Sequence, residues 1–320
     1  MKTLPLGIAS IGKAIASGRL DNSSRLSELD TNLAFLDEKI GTRRIPTLAP
    51  NESTLSLAEK ACRNLLNHRP EITPSLDVLA VCTQNPDTRI PHLSALLHRT
   101  LGLLPSCSCF DISLGCTGFV HTLAILVGFM QNQGLQNGLL ITCDPYSKVI
   151  NPSDRNTVLL FGDAATASLI TTAANGALYY PHSFCFTTLS QNADAISCKE
   201  NILSMNGRAV FDFAITSVPR DVQRTLAIAG LQKSDISKFL FHQGSKFIVE
   251  QLARAIGLPR EAVPISLSEI GNTVSSSIPL LLAEELSQNH TRPRHILISG
   301  FGVGLSVATG ILTLFDQFTS

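Results

Sequence analysis

Three side chains spread over 320 residues, Cys116, His242 and Asn272, are of the types that together move acyl groups. A thiol can attack a carbonyl, an imidazole can handle the proton, and a carboxamide can donate to a developing oxyanion. Cys116 lies in Asp111-Ile-Ser-Leu-Gly-Cys-Thr-Gly-Phe119, between an apolar strand pattern and a long helical pattern. A thiol at a helix N-terminus faces free N–H groups and the positive end of the dipole, which predicts a lowered pKa. Gly115 and Gly118 allow close approach of backbone or substrate. Most cysteines are small buried hydrophobes; the flanking glycines and the helix start set this one apart. His242 follows an apolar run in Leu-Phe-His-Gln-Gly-Ser. Asn272, in Glu-Ile-Gly-Asn-Thr, also reads as a helix N-cap. Some cysteine proteases use the same trio, so residue types alone do not choose the reaction.

The elements that must position these residues alternate between short β-branched runs and helical patterns, which predicts an α/β fold with buried strands. Strands are expected at Val78–Thr83, Cys109–Ser113, Leu139–Cys143, Ala167–Thr171, Phe239–His242, Ile296–Ser299 and Ala308–Leu314, with a strand and turn near the N-terminus. Helices are expected at Leu55–Asn67, Pro91–Leu101, Thr117–Gln131, Val210–Ile228, Phe247–Ile256 and Val274–Ser287. Ser53 reads as an N-cap, and Pro91 suits a first helical turn. Asp77–Gln84 lies over Asp235–His242, Gly115-Cys116-Thr117 over Gly271-Asn272-Thr273, and Asn137–Cys143 over Arg294–Ser299. Three matches in one order at nearly one offset predict a duplicated unit, with halves 1–172 and 173–320. Cys116 and Asn272 then occupy pseudo-equivalent turns, and His242 ends a strand, where sites of α/β folds gather.

Composition narrows the classes. Lys+Arg and Asp+Glu both total 25, so bulk electrostatics give no reason to expect nucleic-acid binding. No run reaches the roughly 18 to 20 apolar residues of a membrane span, and the N-terminus lacks a signal-peptide pattern, which predicts a cytosolic protein. The eight cysteines form no disulfide framework expected of a secreted chain, and the Cys107–Cys109 spacing is not a zinc spacing, so no metal is expected.

The motifs, taken in order, resemble the β-ketoacyl-acyl-carrier-protein synthase III group of the thiolase superfamily. They are Ile40-Gly-Thr-Arg-Arg-Ile45, Gly115-Cys-Thr-Gly-Phe119, Asp154-Arg155, Leu160-Phe-Gly-Asp163, Met205-Asn-Gly-Arg-Ala-Val-Phe211, His242-Gln243, Gly271-Asn-Thr273 and Gly300-Phe-Gly-Val-Gly304. The resemblance spans nearly the whole chain. It implies a five-layered α-β-α-β-α fold of two duplicated halves, a homodimer and a ping-pong condensation without a cofactor. Cys116 would take an acyl group from a thioester of coenzyme A or of acyl carrier protein. A malonyl or β-ketoacyl thioester, carrier-bound in such enzymes, would then lose carbon dioxide and attack it, in fatty acid or polyketide-like biosynthesis. His242 Nε2–H and the Asn272 amide match the family's donors to the enolate oxygen. Backbone N–H groups of Cys116 and Val303 match the hole for the acyl carbonyl.

Further positions carry over one at a time. Arg155 aligns with the arginine that stacks near the adenine of coenzyme A, and Phe35 with its tryptophan partner. Ile90 aligns with the residue that reaches the neighbouring subunit's acyl pocket, and Gly207 with a glycine of the pantetheine tunnel. Lys246 and Arg254 could receive an acidic carrier protein, or form a solvated helix face. Ser245 replaces the asparagine of the usual His-Gln-Ala-Asn run, and Ala164 the glycine of Gly-Asp-Gly-Ala. Val303 stands where the turn normally has glycine; a β-branched residue resists positive φ, which predicts a displaced oxyanion-hole backbone. That change motivates a second reading as an acyltransferase or thioesterase on the same scaffold. A third is a partner subunit without turnover, against which all three reactive residues stand.

Overall fold

The computed structural model describes residues 5–287 and 292–315. Nine strands form the main sheet system, in which one run of strand order and direction occurs twice. The first run contains β1 (Leu6–Ile15), β2 (Val78–Cys82), β3 (Ser108–Ile112), β4 (Gly138–Cys143) and β5 (Ala164–Thr172), in the order β3-β2-β4-β5-β1. The second contains β6 (Tyr179–Thr188), β7 (Lys238–Phe241), β8 (His295–Gly302) and β9 (Ser306–Leu314), in the order β7-β8-β9-β6. β2 and β4 are parallel, as are β7 and β8; β4–β5–β1 and β8–β9–β6 are antiparallel. The runs join through the pairing of Ile8 with Tyr179.

Helices make the other layers. α1 (Thr54–Leu66) and α2 (Leu93–Thr100) cover the outer face of the first run, and α4 (Gly207–Ala229) covers that of the second, with α5 (Lys246–Ile256) packed beside it. α3 (Gly118–Gln133) and α6 (Ser277–Ser287) lie between the runs and touch strands of both. The result is five layers, α-β-α-β-α. Sequence explains the difference between central and outer helices. α1 buries Leu57, Ala58, Ala61 and Leu65 on one stripe and keeps Lys60 and Arg63 outside. α3 is apolar on more than one face, with Phe119, Val120, Leu123 and Leu126 fully buried in the core shared by both runs. Strand β2, Val-Leu-Ala-Val-Cys, is buried along its length, as a parallel strand covered on both faces must be.

The expected strands and helices fall within a few residues of these elements, with instructive exceptions. Ser53 caps α1 as expected, in a reciprocal box with Ser56. Pro91 is not in the first turn of α2, because His92 is the cap and the helix starts at Leu93. Residues 274–276 form a 3-10 turn, so α6 begins at Ser277 rather than Val274. Strand β6 went unforeseen because Pro181 argues against a central strand. It is tolerated because β6 is bonded along its length only to β9 and meets β1 at one point. Among the described residues, no helix is long and apolar enough to cross a membrane.

Leu123 is fully buried in the central layer, so Leu123→Ala should cost about 2–5 kcal/mol of stability. Urea unfolding of the variant beside the parent checks this.

Candidate active site

Cys116 lies in the turn between β3 and α3, one residue before the cap Thr117. The turn from β8 to β9 closes over it, and two glycines make that approach feasible. A Cβ at Gly300 would stand 2.6 Å from the Cys116 carbonyl oxygen, and one at Gly302 would stand 2.9 Å from the sulfur itself. Gly302 also holds φ at 149°, outside the range side-chain-bearing residues favour. The Val303 N–H lies close enough to the Cys116 sulfur to favour its thiolate form. Val303 is not among the residues with positive φ; Gly302 and Gly304 take the unusual angles on either side of it. Strain at Val303 itself is not found: the flanking glycines take the unusual angles, and valine keeps an ordinary conformation.

His242 directly follows β7, and its N–H donates to the Ser299 carbonyl on β8 at 2.9 Å. Its Nδ1 lies 2.8 Å from Ser277 Oγ, while the Ser277 hydroxyl donates to the Val274 carbonyl at 3.0 Å. A carbonyl only accepts, so this partner set assigns the ring proton to Nδ1 and leaves Nε2 as the acceptor. Phe301 packs edge-on against the ring, with centroids 5.4 Å apart.

Asn272 is pinned by its backbone. Its N–H donates to the Leu160 carbonyl at 2.8 Å, and its carbonyl accepts from Gly162 N–H at 3.1 Å. The side-chain Oδ1 accepts from Val274 N–H at 2.9 Å, so the capping role read from sequence is met by one end of the carboxamide. Nδ2 stands 3.5 Å from the Gly244 carbonyl, a long contact that leaves its hydrogens for a better acceptor. Val274 carries the strain of this arrangement. It is β-branched yet sits at φ 53°, with its N–H on Asn272 and its carbonyl toward His242 and Ser277.

Cys116, His242 and Asn272 line one cavity of about 580 Å³. Phe35, Gly207 and Ser245 line it too, as expected. Nothing lies within 4 Å of where a Gly207 Cβ would stand. Ser245 also caps α5 through its side chain. Arg155 is not part of the wall: it donates to the Asp30 carbonyl at 2.8 Å, and its neighbour Asn156 faces the cavity instead. Ile90 lies away from the cavity and is 90% exposed. Lys246 is tethered: its Nζ donates to the Asp37 carbonyl at 2.9 Å and its stem lies over Gly41. Arg254 is exposed on α5.

Reading the sequence missed three groups. Ser277 and Val274 set the imidazole tautomer, and the hydroxyl-rich run after Asn272 was the available signal. Phe211 and Phe247, stacked 5.3 Å apart, extend the aromatic wall begun by Phe35. Lys39 lies 3.8 Å over the Phe247 ring, and with Arg208 it places two cations on the cavity wall. Among the described residues, no three His, Cys, Asp or Glu side chains are grouped to hold a metal ion.

The electrostatics correct one expectation. Burial pushes the Cys116 thiol up to about 12, and the nearby Asp144 carboxylate adds to this; N–H groups of Val303 and of Cys116 itself pull the other way. Desolvation outweighs the helix start, so the resting thiol is protonated. Burial likewise lowers His242 to about 3, against the Val274 carbonyl that favours its charged form. Asp144 is raised to about 7 by burial, despite donors from Gln84 and Asn85. Its Oδ2 is buried with no hydrogen-bond partner.

The description "3-oxoacyl-[acyl-carrier-protein (ACP)] synthase III" belongs to a family model that matches residues 110–183, and the model for its C-terminal part matches 226–314. These matches include Cys116 in the first and His242 and Asn272 in the second. The chain is 31% identical to β-ketoacyl-[acyl-carrier-protein] synthase III of Streptococcus sanguinis, over 92% of this chain and 95% of that one. The enzyme of the same name from Lactococcus lactis is 29% identical over 96% of this chain and 98% of its own. Among solved structures, 3-oxoacyl-(acyl-carrier protein) synthase from Burkholderia xenovorans superimposes with a TM-score of 0.89 at 32% identity, covering 97% of this chain and 94% of that one. With the five layers and a Cys-His-Asn cavity already in place, these likenesses make the chain a member of the 3-oxoacyl-[acyl-carrier-protein] synthase III family of thiolase-fold condensing enzymes.

Proposed function

We propose that Cys116, His242 and Asn272 carry a two-stage condensation. One observation carries the reading: the thiol, the imidazole and the carboxamide line a single cavity. In the first stage the sulfur attacks an acyl thioester. A carbon–sulfur bond forms to Cys116, the bond to the departing thiol breaks, and the Cys116 proton ends on that thiol. His242 Nε2, unprotonated at rest, takes the proton during attack. In the second stage a malonyl thioester loses carbon dioxide. Its carbanion bonds to the acyl carbon, and the released Cys116 sulfur regains a proton from solvent. Asn272 Nδ2–H is ready to donate to the enolate oxygen. His242 can join it only when Nε2 carries a proton, which the resting tautomer does not supply. Val303 N–H and Cys116 N–H form the hole for the acyl carbonyl.

Coenzyme A and acyl carrier protein are the proposed carriers. The aromatic wall of Phe35, Phe211 and Phe247 suits stacking, and Lys39 and Arg208 suit phosphate. Arg155 is the proposed outer contact for coenzyme A, and Lys246 and Arg254 on α5 are the proposed contacts for carrier protein. A cytoplasmic homodimer is the proposed setting, with halves 1–172 and 173–320 as the units of each protomer. β3 ends the sheet with one bonded neighbour among the described strands, and Leu104 and Ile125 are about half exposed. Such an edge is a template for a second copy, with Ile90 free to reach across.

The direct test is to add an acyl-CoA, then malonyl-carrier protein, and to follow protein and product by mass spectrometry. An acyl adduct on Cys116 and a product two carbons longer are expected, and Cys116→Ala abolishes both. Asn272→Ala should keep acylation and lower condensation by about 10²–10³-fold. Acylation with no extended product from the parent enzyme would exclude condensation.

Gly302→Ala tests the close approach to the sulfur. A methyl at 2.9 Å must move the thiol, and misplacement on the order of 1 Å costs about 100-fold in rate. The acylation rate should fall by that order while the circular dichroism spectrum is retained.

The pH dependence follows from the three titrations. Cys116 at about 12 and His242 at about 3 keep their charge states across the neutral range. Asp144, at about 7, does not. Its ionisation places negative charge near the sulfur and opposes thiolate formation, so single-turnover acylation should fall as pH rises through about 7. Asp144→Asn retains an Oδ1 acceptor and should remove that fall. A rate that climbs tenfold per pH unit in the parent would contradict this assignment.

A further inference from the structure

We infer that Cys109 and His92 are half of a zinc site, which a second copy of the chain completes across the open edge of β3. This rests on the proposed homodimer and specifies what joins its two protomers.

Two ligand groups already stand together. Cys109 Sγ lies 3.8 Å from His92 Nε2, away from the acyl site, with the imidazole exposed and the thiol half-buried. A tetrahedral zinc, with sulfur at about 2.3 Å and nitrogen at about 2.0–2.1 Å, sets such a pair about 3.6 Å apart. The arrangement is held from below. Asp111, two residues along the same face of β3, accepts from Leu93 N–H at 2.7 Å and Ser94 N–H at 2.9 Å. That fixes the start of α2, where His92 is the cap, against the strand. Thiolate with imidazole is a donor set that suits zinc. Cys107 takes no part, since it is buried with its sulfur toward the Ser108 carbonyl at 3.7 Å.

One copy supplies only two ligands, because among the described residues no third His, Cys, Asp or Glu joins them. A structural zinc takes four. Symmetry supplies the rest. β3 is bonded to β2 alone among the described strands. A two-fold axis normal to the sheet pairs β3 antiparallel with its own copy and keeps both α2 faces on one side. Cys109 is next to Phe110, the middle of this five-residue strand. Self-pairing centred on either residue sets the two Cys109 Cα atoms about 5–8 Å apart. Two sulfurs on one zinc stand about 3.8 Å apart, which side chains from such positions reach. On binding, the two thiols release their protons to solvent, so two thiolates and two neutral imidazoles balance the metal's charge. His92 is two residues after Ile90, so the same metal would also fix the segment that carries Ile90.

The experiment strips the full-length enzyme with a chelator, keeps it reduced without added thiols, and titrates it with zinc alone. Bound metal is read by elemental analysis and oligomeric state by sedimentation. One zinc per two chains is expected, and zinc should tighten the dimer at least about tenfold. Cobalt in place of zinc should give the absorption bands of a tetrahedral thiolate site. Cys109→Ser and His92→Ala should each weaken zinc binding at least about 100-fold, whereas Cys116→Ser should retain the metal. His92→Ala changes an exposed side chain and serves if Cys109→Ser does not fold. A dimer that takes up no zinc, or uptake that survives the ligand variants, would overturn the site and leave the homodimer standing. A chain that stays monomeric with and without zinc would overturn both.

Discussion

A proposed nucleophile kept out of water is the constraint around which this molecule is organised. Cys116 is buried in the wall of the cavity, and the same desolvation that would protect an acyl-enzyme from hydrolysis holds the thiol protonated. A neutral thiol needs a neutral acceptor close to hand. His242 meets that need because its burial favours the uncharged ring, and Ser277 with Val274 commits the proton to Nδ1. The two groups are matched through burial rather than through a standing ion pair, unlike a cysteine poised as thiolate beside imidazolium.

The duplicated topology explains how such distant residues meet. Cys116 follows the edge strand β3, which has no counterpart among the strands of the second run, yet Cys116 and Asn272 each precede one of the two central helices, α3 and α6. Packing those helices between the runs brings their N-terminal ends together at one level. The β8–β9 turn then supplies Val303 N–H from the second run, at the one place where glycines let backbone touch the nucleophile. Strain concentrates there: Val274 and Gly302 hold unusual φ within the site, and the well-packed layers around them sustain it.

Much of this was legible from residue order alone. The three reactive residues and the alternating architecture followed from local patterns, because buried parallel strands read as short apolar runs and glycines flag close approach. What could not be read was environmental. The helix start at Cys116 suggested a lowered thiol pKa, and only three-dimensional burial reverses that sign. Val303 read as a disturbance of backbone, yet the unusual φ angles fall on its glycine neighbours. Lys246 read as carrier docking or as a solvated helix face, and its tether to the backbone carbonyl of Asp37, more than two hundred positions away, had no local signal. Strand β6 was hidden by Pro181, whose tolerance depends on sheet order and not on its own sequence.

The matched neutrality of sulfur and imidazole can be measured without substrate. The ultraviolet absorbance of thiolate, taken as the difference between the parent and Cys116→Ser from about pH 6 to about pH 9, isolates this one cysteine among eight. The account predicts no thiolate band from Cys116 anywhere in that range. A band that titrates in near pH 7 would contradict it, and would mean that an ion pair, not burial, governs the nucleophile.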